Sequence, residues 1–161
     1  MPTASDQIID DHKQCDALFL SVEQHVGQYE WEQAFIDFLK FNTAFRRHIA
    51  MEESIFFPLI RDSAGEDAWP LKDLQSEHAK LEMILLRIEE SIRKRSKDDF
   101  LLHAESFFIL MHTHSIKEEQ ILYPKLEAHK RKASVGPGTD KSDPRDMIPP
   151  LCGTSARQGR A

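Results

Sequence analysis

The feature that most constrains this chain is an internal repeat with an offset of 66 residues. The segments His48 to Pro58 and His114 to Pro124 share the pattern HxxxEExxxxP. Each segment follows another histidine, His12 in the first half and His78 in the second, at the same offset. A repeat of this kind predicts two copies of a helix pair that face one another across a shared core.

Hydrophobic periodicity predicts four helices. Apolar side chains recur at steps of three and four residues in four stripes, Ile8 to Val26, Phe38 to Leu59, Leu71 to Ile92 and Phe100 to Ile121. Residues 27–30, 62–65 and 96–99 interrupt the stripes, and connections this short make sequential helices antiparallel. We therefore predict an all-α, antiparallel up-down-up-down four-helix bundle, with its second helix bending or ending near Pro58.

The length of 161 residues suits one domain, which we place at residues 1–132. Beyond Lys132 the chain is rich in proline, glycine and polar residues, with little apolar content to offset the entropy cost of ordering. Residues 133–161 are therefore predicted to form a disordered C-terminal tail.

Composition excludes several classes of function. A net charge of −6 and a pI near 5.7 argue against a nucleic-acid surface. No apolar run approaches the ~20 residues of a membrane span, and the polar N-terminus does not resemble a signal peptide. The two cysteines fit a reducing compartment. We expect a cytoplasmic protein that contacts neither membrane nor nucleic acid, and nothing in the sequence identifies a protein partner.

Metal-ligand side chains interrupt the apolar stripes. Six of them lie on the inward faces of the predicted helices: His12, His48, Glu52, His78, His114 and Glu118. Residues four apart share a helix face, so each HxxxE pair presents a nitrogen and an oxygen to one point. Because burying such groups without partners costs several kcal/mol each, their position predicts a bound cation.

Several nearby carboxylates could extend this set. Glu82 lies four residues after His78, and we include it as a seventh metal ligand. Asp16 has the same relation to His12 and stays an open alternative. Four further acidic residues adjoin the ligands and could either hydrogen-bond the imidazoles or remain solvated: Asp11, Glu53, Glu77 and Glu119.

The donor count indicates a metal pair. Two bridging carboxylates give each of two ions two oxygens, four imidazoles give each ion two nitrogens, and an oxo or hydroxo bridge brings each to five donors. One position per ion stays open for dioxygen, nitric oxide or peroxide. Imidazole and carboxylate without thiolate favour iron or manganese over a closed tetrahedral zinc site.

The motifs also resemble a known family. Asp11-His12, HIAMEE from His48, EHAKLE around His78 and HSIKEEQILYP from His114 are together similar to the hemerythrin-like (HHE cation-binding) family over roughly residues 5–130. The resemblance implies a left-handed four-helix bundle with a non-haem di-iron centre held by the six residues named above. Oxygen-carrying hemerythrins have HxxxH on the third helix where this chain has Glu82, so reversible oxygen carriage is not expected.

Family members bind or sense dioxygen, respond to nitric oxide, decompose peroxide or handle iron. The resemblance therefore implies a di-iron protein that binds or senses a small diatomic or peroxide ligand in redox or iron homeostasis. Two alternatives stay open, a di-iron oxidoreductase with peroxidase- or catalase-like activity and a protein of iron storage or delivery. The sequence does not decide whether the chain is an enzyme.

Overall fold

A computed structural model describes residues 4–64 and 69–134. Within these ranges there are six α-helices: α1 (Ala4–Gly27), α2 (Trp31–Met51), α3 (Phe57–Ala64), α4 (Trp69–Arg93), α5 (Lys97–Lys117) and α6 (Tyr123–Ser134). Single π-helical turns, Glu52–Phe56 and Glu118–Leu122, join α2 to α3 and α5 to α6. The described residues contain no strand, and the predicted all-α four-helix bundle is confirmed.

The second helix does not end at Pro58. A π-helical turn precedes the proline, and the N–H of Phe57 donates to the carbonyl of Glu52, five residues earlier. The second half of the chain has the same turn, in which the N–H of Tyr123 donates to the carbonyl of Glu118 just before Pro124. Each widened turn thus begins at a glutamate of an HxxxE motif, and π-helical turns are frequent at functional sites.

The two sharp turns of the bundle also match at the 66-residue offset. Tyr29 and Arg95 have φ angles of 62° and 55°, and both lie two residues after a helix end. The N–H groups of Glu30 and Ser96 donate to the carbonyl five residues earlier, at 2.9 Å and 3.0 Å. Both turns are therefore Schellman C-caps, which reverse the chain and make each helix pair antiparallel.

The core consists of two apolar clusters with a polar layer between them. One cluster lies toward the two sharp turns and includes Phe19, Phe41, Phe45, Leu81 and Phe107. The other lies toward α3 and α6 and includes Ile8, Met51, Phe57, Leu74 and Leu122. Each of the four histidines on the stripes lies in sequence between a residue of one cluster and a residue of the other. The predicted ligands therefore occupy a single layer of the bundle.

The last described helix, α6, extends slightly beyond the predicted end of the bundle. Helix α6 continues to Ser134, two residues past the predicted bundle end at residue 132. The rest of the predicted tail, residues 135–161, lies outside the described residues. None of the described helices combines the length and the apolar character needed to cross a membrane.

Candidate metal centre

The polar layer brings together six side chains from both halves of the repeat. The four histidines come from the long helices, His12 from α1, His48 from α2, His78 from α4 and His114 from α5. Glu52 and Glu118 are the first residues of the two π-helical turns. All six are buried, with His12 the most exposed at 8%.

These side chains form two groups of four potential ligands. One group contains His12, His48, Glu52 and Glu118, and the other contains Glu52, His78, His114 and Glu118. In each group the four ligand atoms lie within 4.8 Å of one another. Both glutamates belong to both groups, so the groups adjoin and share two carboxylates.

Each shared glutamate directs one oxygen to each group. The four contacts, each from a carboxylate oxygen to an imidazole Nε2, are Glu52 Oε1 to His48 (3.2 Å), Glu52 Oε2 to His78 (3.3 Å), Glu118 Oε2 to His12 (3.3 Å) and Glu118 Oε1 to His114 (2.8 Å). This is the arrangement that a carboxylate bridging two cations requires.

The imidazoles within each group face one another. Nε2 of His12 lies 3.0 Å from Nε2 of His48, and Nε2 of His78 lies 3.1 Å from Nε2 of His114. In both pairs the ring centroids are 4.7 Å apart and the planes are steeply inclined. Two lone-pair nitrogens so placed repel one another unless a proton or a cation lies between them.

The buried charges of the layer also fit a cation. Among the residues that the structure describes, the oxygens of Glu52 and Glu118 accept no well-aligned hydrogen bond, although each lies near an imidazole nitrogen. Buried carboxylates are normally hydrogen-bonded, paired or bound to metal. Four orphaned oxygens beside four converging nitrogens therefore form a donor set that suits two cations.

In the metal-free protein the ligands stabilise one another's charges. Burial would lower the pKa of His48, but the charge on Glu52 outweighs it and raises that pKa to about 9. Burial would raise the pKa of Glu52, but His48 holds it well below the usual range. The pKa of His114 is likewise raised by Glu118 against the effect of burial. The surroundings of His48 and His114 thus favour the charged form of each imidazole, which marks the layer as a place for positive charge.

Two carboxylates orient His78 and His114, the histidines of the second ligand group, through the ring nitrogens that face away from the centre. Nδ1 of His78 donates to Oε1 of Glu53 at 2.8 Å, and Nδ1 of His114 donates to Oε2 of Glu77 at 3.0 Å. Lys117 in turn contacts Glu77. A proton fixed on Nδ1 leaves the Nε2 lone pair of a neutral imidazole free for a metal.

Within the described part of the chain, the two histidines of the first ligand group have no such carboxylate acceptor at Nδ1. Nδ1 of His12 and Nδ1 of His48 are buried without a hydrogen-bond partner there. The residues 66 positions away from Glu53 and Glu77, which we call their counterparts, are Glu119 and Asp11. Asp11 is one methylene shorter than Glu77, which reduces its reach. The two halves of the layer are therefore not equivalent.

The structure does not bring Glu82 to the centre. Its carboxylate lies 3.6 Å from Arg46, its side chain is 43% exposed, and it belongs to neither ligand group. The buried stripe of α4 runs from His78 through Leu81 and Leu85, so Glu82 falls at the edge that faces α2. We therefore leave Glu82 out of the proposed ligand set. Asp16 is exposed and is absent from both groups as well.

Sequence reasoning passed over Tyr123. This residue is 4% exposed, and its hydroxyl is buried without a partner in the described ranges. Tyr123 directly follows the π-helical turn that begins at Glu118. Burial raises the pKa of its hydroxyl, and the charges of Glu118 and Glu52 raise it further. The counterpart is Phe57, whose ring stacks on that of His78 at 5.8 Å. The sequence signal that could have identified Tyr123 is the change from phenylalanine in the first copy of the repeat to tyrosine in the second.

Comparison with known proteins gives one match. The family model described as hemerythrin HHE cation binding domain matches residues 3–126, a range that contains both halves of the repeat and all six side chains. No curated protein and no solved structure matches the chain.

Proposed function

The chain belongs to the hemerythrin HHE cation-binding domain family, and on that premise we propose that its buried layer holds two iron ions. The proposed ligands are the six donors His12, His48, Glu52, His78, His114 and Glu118. The centre would bind dioxygen, nitric oxide or peroxide, and the protein would act in redox or iron homeostasis.

The observation that carries this proposal is the division of each glutamate between the two ligand groups. One oxygen of Glu52 lies near His48 and the other near His78. Glu118 is divided in the same way. A single ion would use these oxygens on one side only, whereas two ions use all four and gain two imidazoles each. The donor set therefore supports a dinuclear centre.

The chemistry of the donors favours iron over a closed tetrahedral zinc site. Each group offers two imidazoles and two carboxylates without a thiolate, a set that suits iron or manganese. Four donors leave positions for a small molecule on an ion that takes five or six ligands.

The surrounding residues perform two tasks. The apolar clusters on both sides of the layer exclude water from it. Glu53 and Glu77 hold the proton of His78 and His114 on Nδ1, so that Nε2 faces the centre. When bound, a pair of irons supplies reversible oxidation and open coordination positions for an oxygen or nitrogen ligand.

Burial of the donors favours a resident centre over iron delivery. His12, with 8% of its surface exposed, is the only one of the six that exceeds 2%. Release of iron from such a site requires local opening of the bundle, which should be slow. A chelator added to the loaded protein should therefore remove iron slowly, and fast, complete removal would favour delivery instead.

Anaerobic reconstitution tests the proposal. The purified full-length protein is loaded with ferrous iron, bound metal is counted by atomic emission, and the near-ultraviolet spectrum is recorded before and after air is admitted. We expect two irons per chain and new ferric charge-transfer absorption after exposure. One ion per chain, or two ions with no spectral change in air, would contradict the proposed centre.

A further inference from the structure

Helix α5 carries apolar side chains on its outer side as well as on its buried side. The buried side contributes Ala104 and Phe107 to the core. Six other large apolar side chains, five on the outer side of α5 and one on α1, expose between 39% and 66% of their surface. We call these residues the α5 face: Leu20, Leu101, Leu102, Phe108, Ile109 and Ile116. Leu20 and Phe108 line the same groove between α1 and α5, so the face is continuous across that seam.

The spacing of these residues is that of a helix-packing surface. Leu102, Ile109 and Ile116 follow one another at intervals of seven residues, and so do Leu101 and Phe108. Because seven residues are close to two helical turns, the five side chains form a stripe along one side of α5. Apolar residues that recur every seven positions are typical of a helix that packs against another helix.

The repeat itself does not require an apolar surface at this place. The counterparts of Phe108 and Ile109 on α2 are Asn42 and Thr43. Asn42 accepts a hydrogen bond from Arg46 of the next turn at 3.3 Å, as is common on a solvated helix surface. The apolar stripe is therefore a particular property of the second half of the chain.

The exposed area of the α5 face is large enough for an interface between two proteins. Half-exposed side chains of this size contribute roughly 100 Å² each, so two copies of the face would bury about 1,200 Å². Specific interfaces bury about 1,200–2,000 Å² in total, whereas apolar patches on monomeric proteins rarely exceed a few hundred Å². A face of this size therefore suits a protein partner.

The polar residues of the stripe indicate that this partner is a second copy of the chain. Glu105 and His112 are both exposed, and they lie between the apolar residues at a separation of seven positions. In a symmetric dimer, each contact between two different residues occurs twice, once in each direction. A two-fold axis between Phe108 and Ile109 makes two α5 helices antiparallel. Glu105 of each copy then lies opposite His112 of the other, so the face is complementary to itself.

We propose that this protein forms a symmetric dimer through the α5 face, with the two α5 helices antiparallel. In this register Leu101 of one copy lies opposite Ile116 of the other. Phe108 and Ile109 pack together at the axis. The pairs of a carboxylate with an imidazole on either side of the axis favour this register over a shifted one. The dimer depends neither on iron nor on the proposed centre.

Sedimentation velocity and light scattering on the purified full-length protein measure the association. We expect a particle of twice the chain mass of 18.6 kDa. Ile109→Glu brings two carboxylates together at the axis and should weaken the dimer by about 100-fold or more. Met83→Glu is the matched control, because Met83 on α4 is 58% exposed and Ile109 is 59% exposed. The control should remain dimeric, and circular dichroism shows whether both variants are folded.

Cysteine cross-linking tests the register of the two helices. Leu101→Cys and Ile116→Cys are prepared separately in a Cys152→Ser background, and a short bis-maleimide is added. Each new cysteine should lie opposite the other kind and about 22 Å along the helix axis from its own equivalent. We therefore expect covalent dimers only when the two variants are mixed.

Three results would contradict the proposal. A parent protein that stays monomeric at its highest soluble concentration would leave the α5 face to some other occupant. A dimer that persists unchanged in folded Ile109→Glu would place the interface on another surface. Cross-linking of Leu101→Cys with itself, or no cross-linking in the mixture, would rule out the antiparallel register.

Discussion

Nδ1 of His78 lies 2.8 Å from Oε1 of Glu53, whereas the corresponding atom of His12 is buried without a partner in the described part of the chain. The two histidines are counterparts in the repeat, and so are Glu53 and Glu119. A ligand that is held by a hydrogen bond on its far nitrogen binds metal more tightly than one that is not. The two sides of the centre should therefore differ in metal affinity.

Replacing Glu53 tests this difference. Glu53→Ala removes the acceptor behind His78, and we expect metal affinity to fall by roughly 10- to 100-fold at one of the two ions. Glu119→Ala makes the same change at the counterpart position and should have a much smaller effect. The metal affinity of both variants is measured by titration with ferrous iron under anaerobic conditions. Equal losses in the two variants would show that Glu119 supports His12 in solution.

Replacing a shared glutamate should affect both ions together. Glu52→Ala removes one oxygen from each ligand group, so we expect bound metal to fall from two ions per chain to fewer than one. Glu118→Ala should give the same result, since Glu118 also belongs to both groups. The control is Glu82→Ala, which removes a carboxylate that pairs with Arg46 and should leave metal content unchanged.

Atomic emission on purified variants measures these contents. Full metal retention in both Glu52→Ala and Glu118→Ala would eliminate the bridging model. Loss of metal in Glu82→Ala, with the fold intact by circular dichroism, would restore Glu82 to the ligand set.

The stability of the metal-free protein should depend on pH through His48. Burial opposes the charge on this imidazole, but Glu52 prevails and raises the pKa from 6.5 to about 9. Because the folded pKa lies above the unfolded value, the stabilising contribution is complete below pH 6.5 and is lost as pH rises through about 9. Metal binding has the opposite pH dependence, because it requires the neutral form of the His48 imidazole.

Urea unfolding of the metal-free protein at about pH 6 and about pH 10 measures this effect, with a lower free energy of unfolding expected at the higher pH. In Glu52→Gln the pH dependence should flatten, because the neutral amide no longer raises the pKa of His48. An identical slope in this variant would show that another group carries the dependence.

Tyr123 gives a prediction about stability. Its hydroxyl is buried without a partner among the described residues, so it carries a desolvation cost that no hydrogen bond offsets. Tyr123→Phe should therefore raise the free energy of unfolding of the metal-free protein, by about 1 kcal/mol. The reciprocal change Phe57→Tyr buries a new hydroxyl against His78 and should lower it by about 1–3 kcal/mol. A loss of stability in Tyr123→Phe would mean that the hydroxyl has a partner in solution.

Local periodicity explains why the sequence predicted so much of this fold. Steps of three and four residues place His48 and Glu52 on the same helix face as Phe41 and Phe45, and short turns oblige neighbouring helices to pack against one another. The inward position of the six donors follows from these rules alone. The same rules marked Pro58 as a place where the helix bends or ends, but they did not anticipate the π-helical turn that carries the helix past it.

The sequence by itself determined the bundle, the repeat and the six donors, because helix geometry converts residue spacing into a shared face. Only the tertiary structure decided that each glutamate divides its oxygens between two groups, that Glu82 pairs with Arg46, and that the seam beside His12 forms an open groove. These features depend on how neighbouring helices are rotated and on which side chains fill each seam. Both are set by contacts between residues far apart in the chain, which spacing along a single helix does not encode.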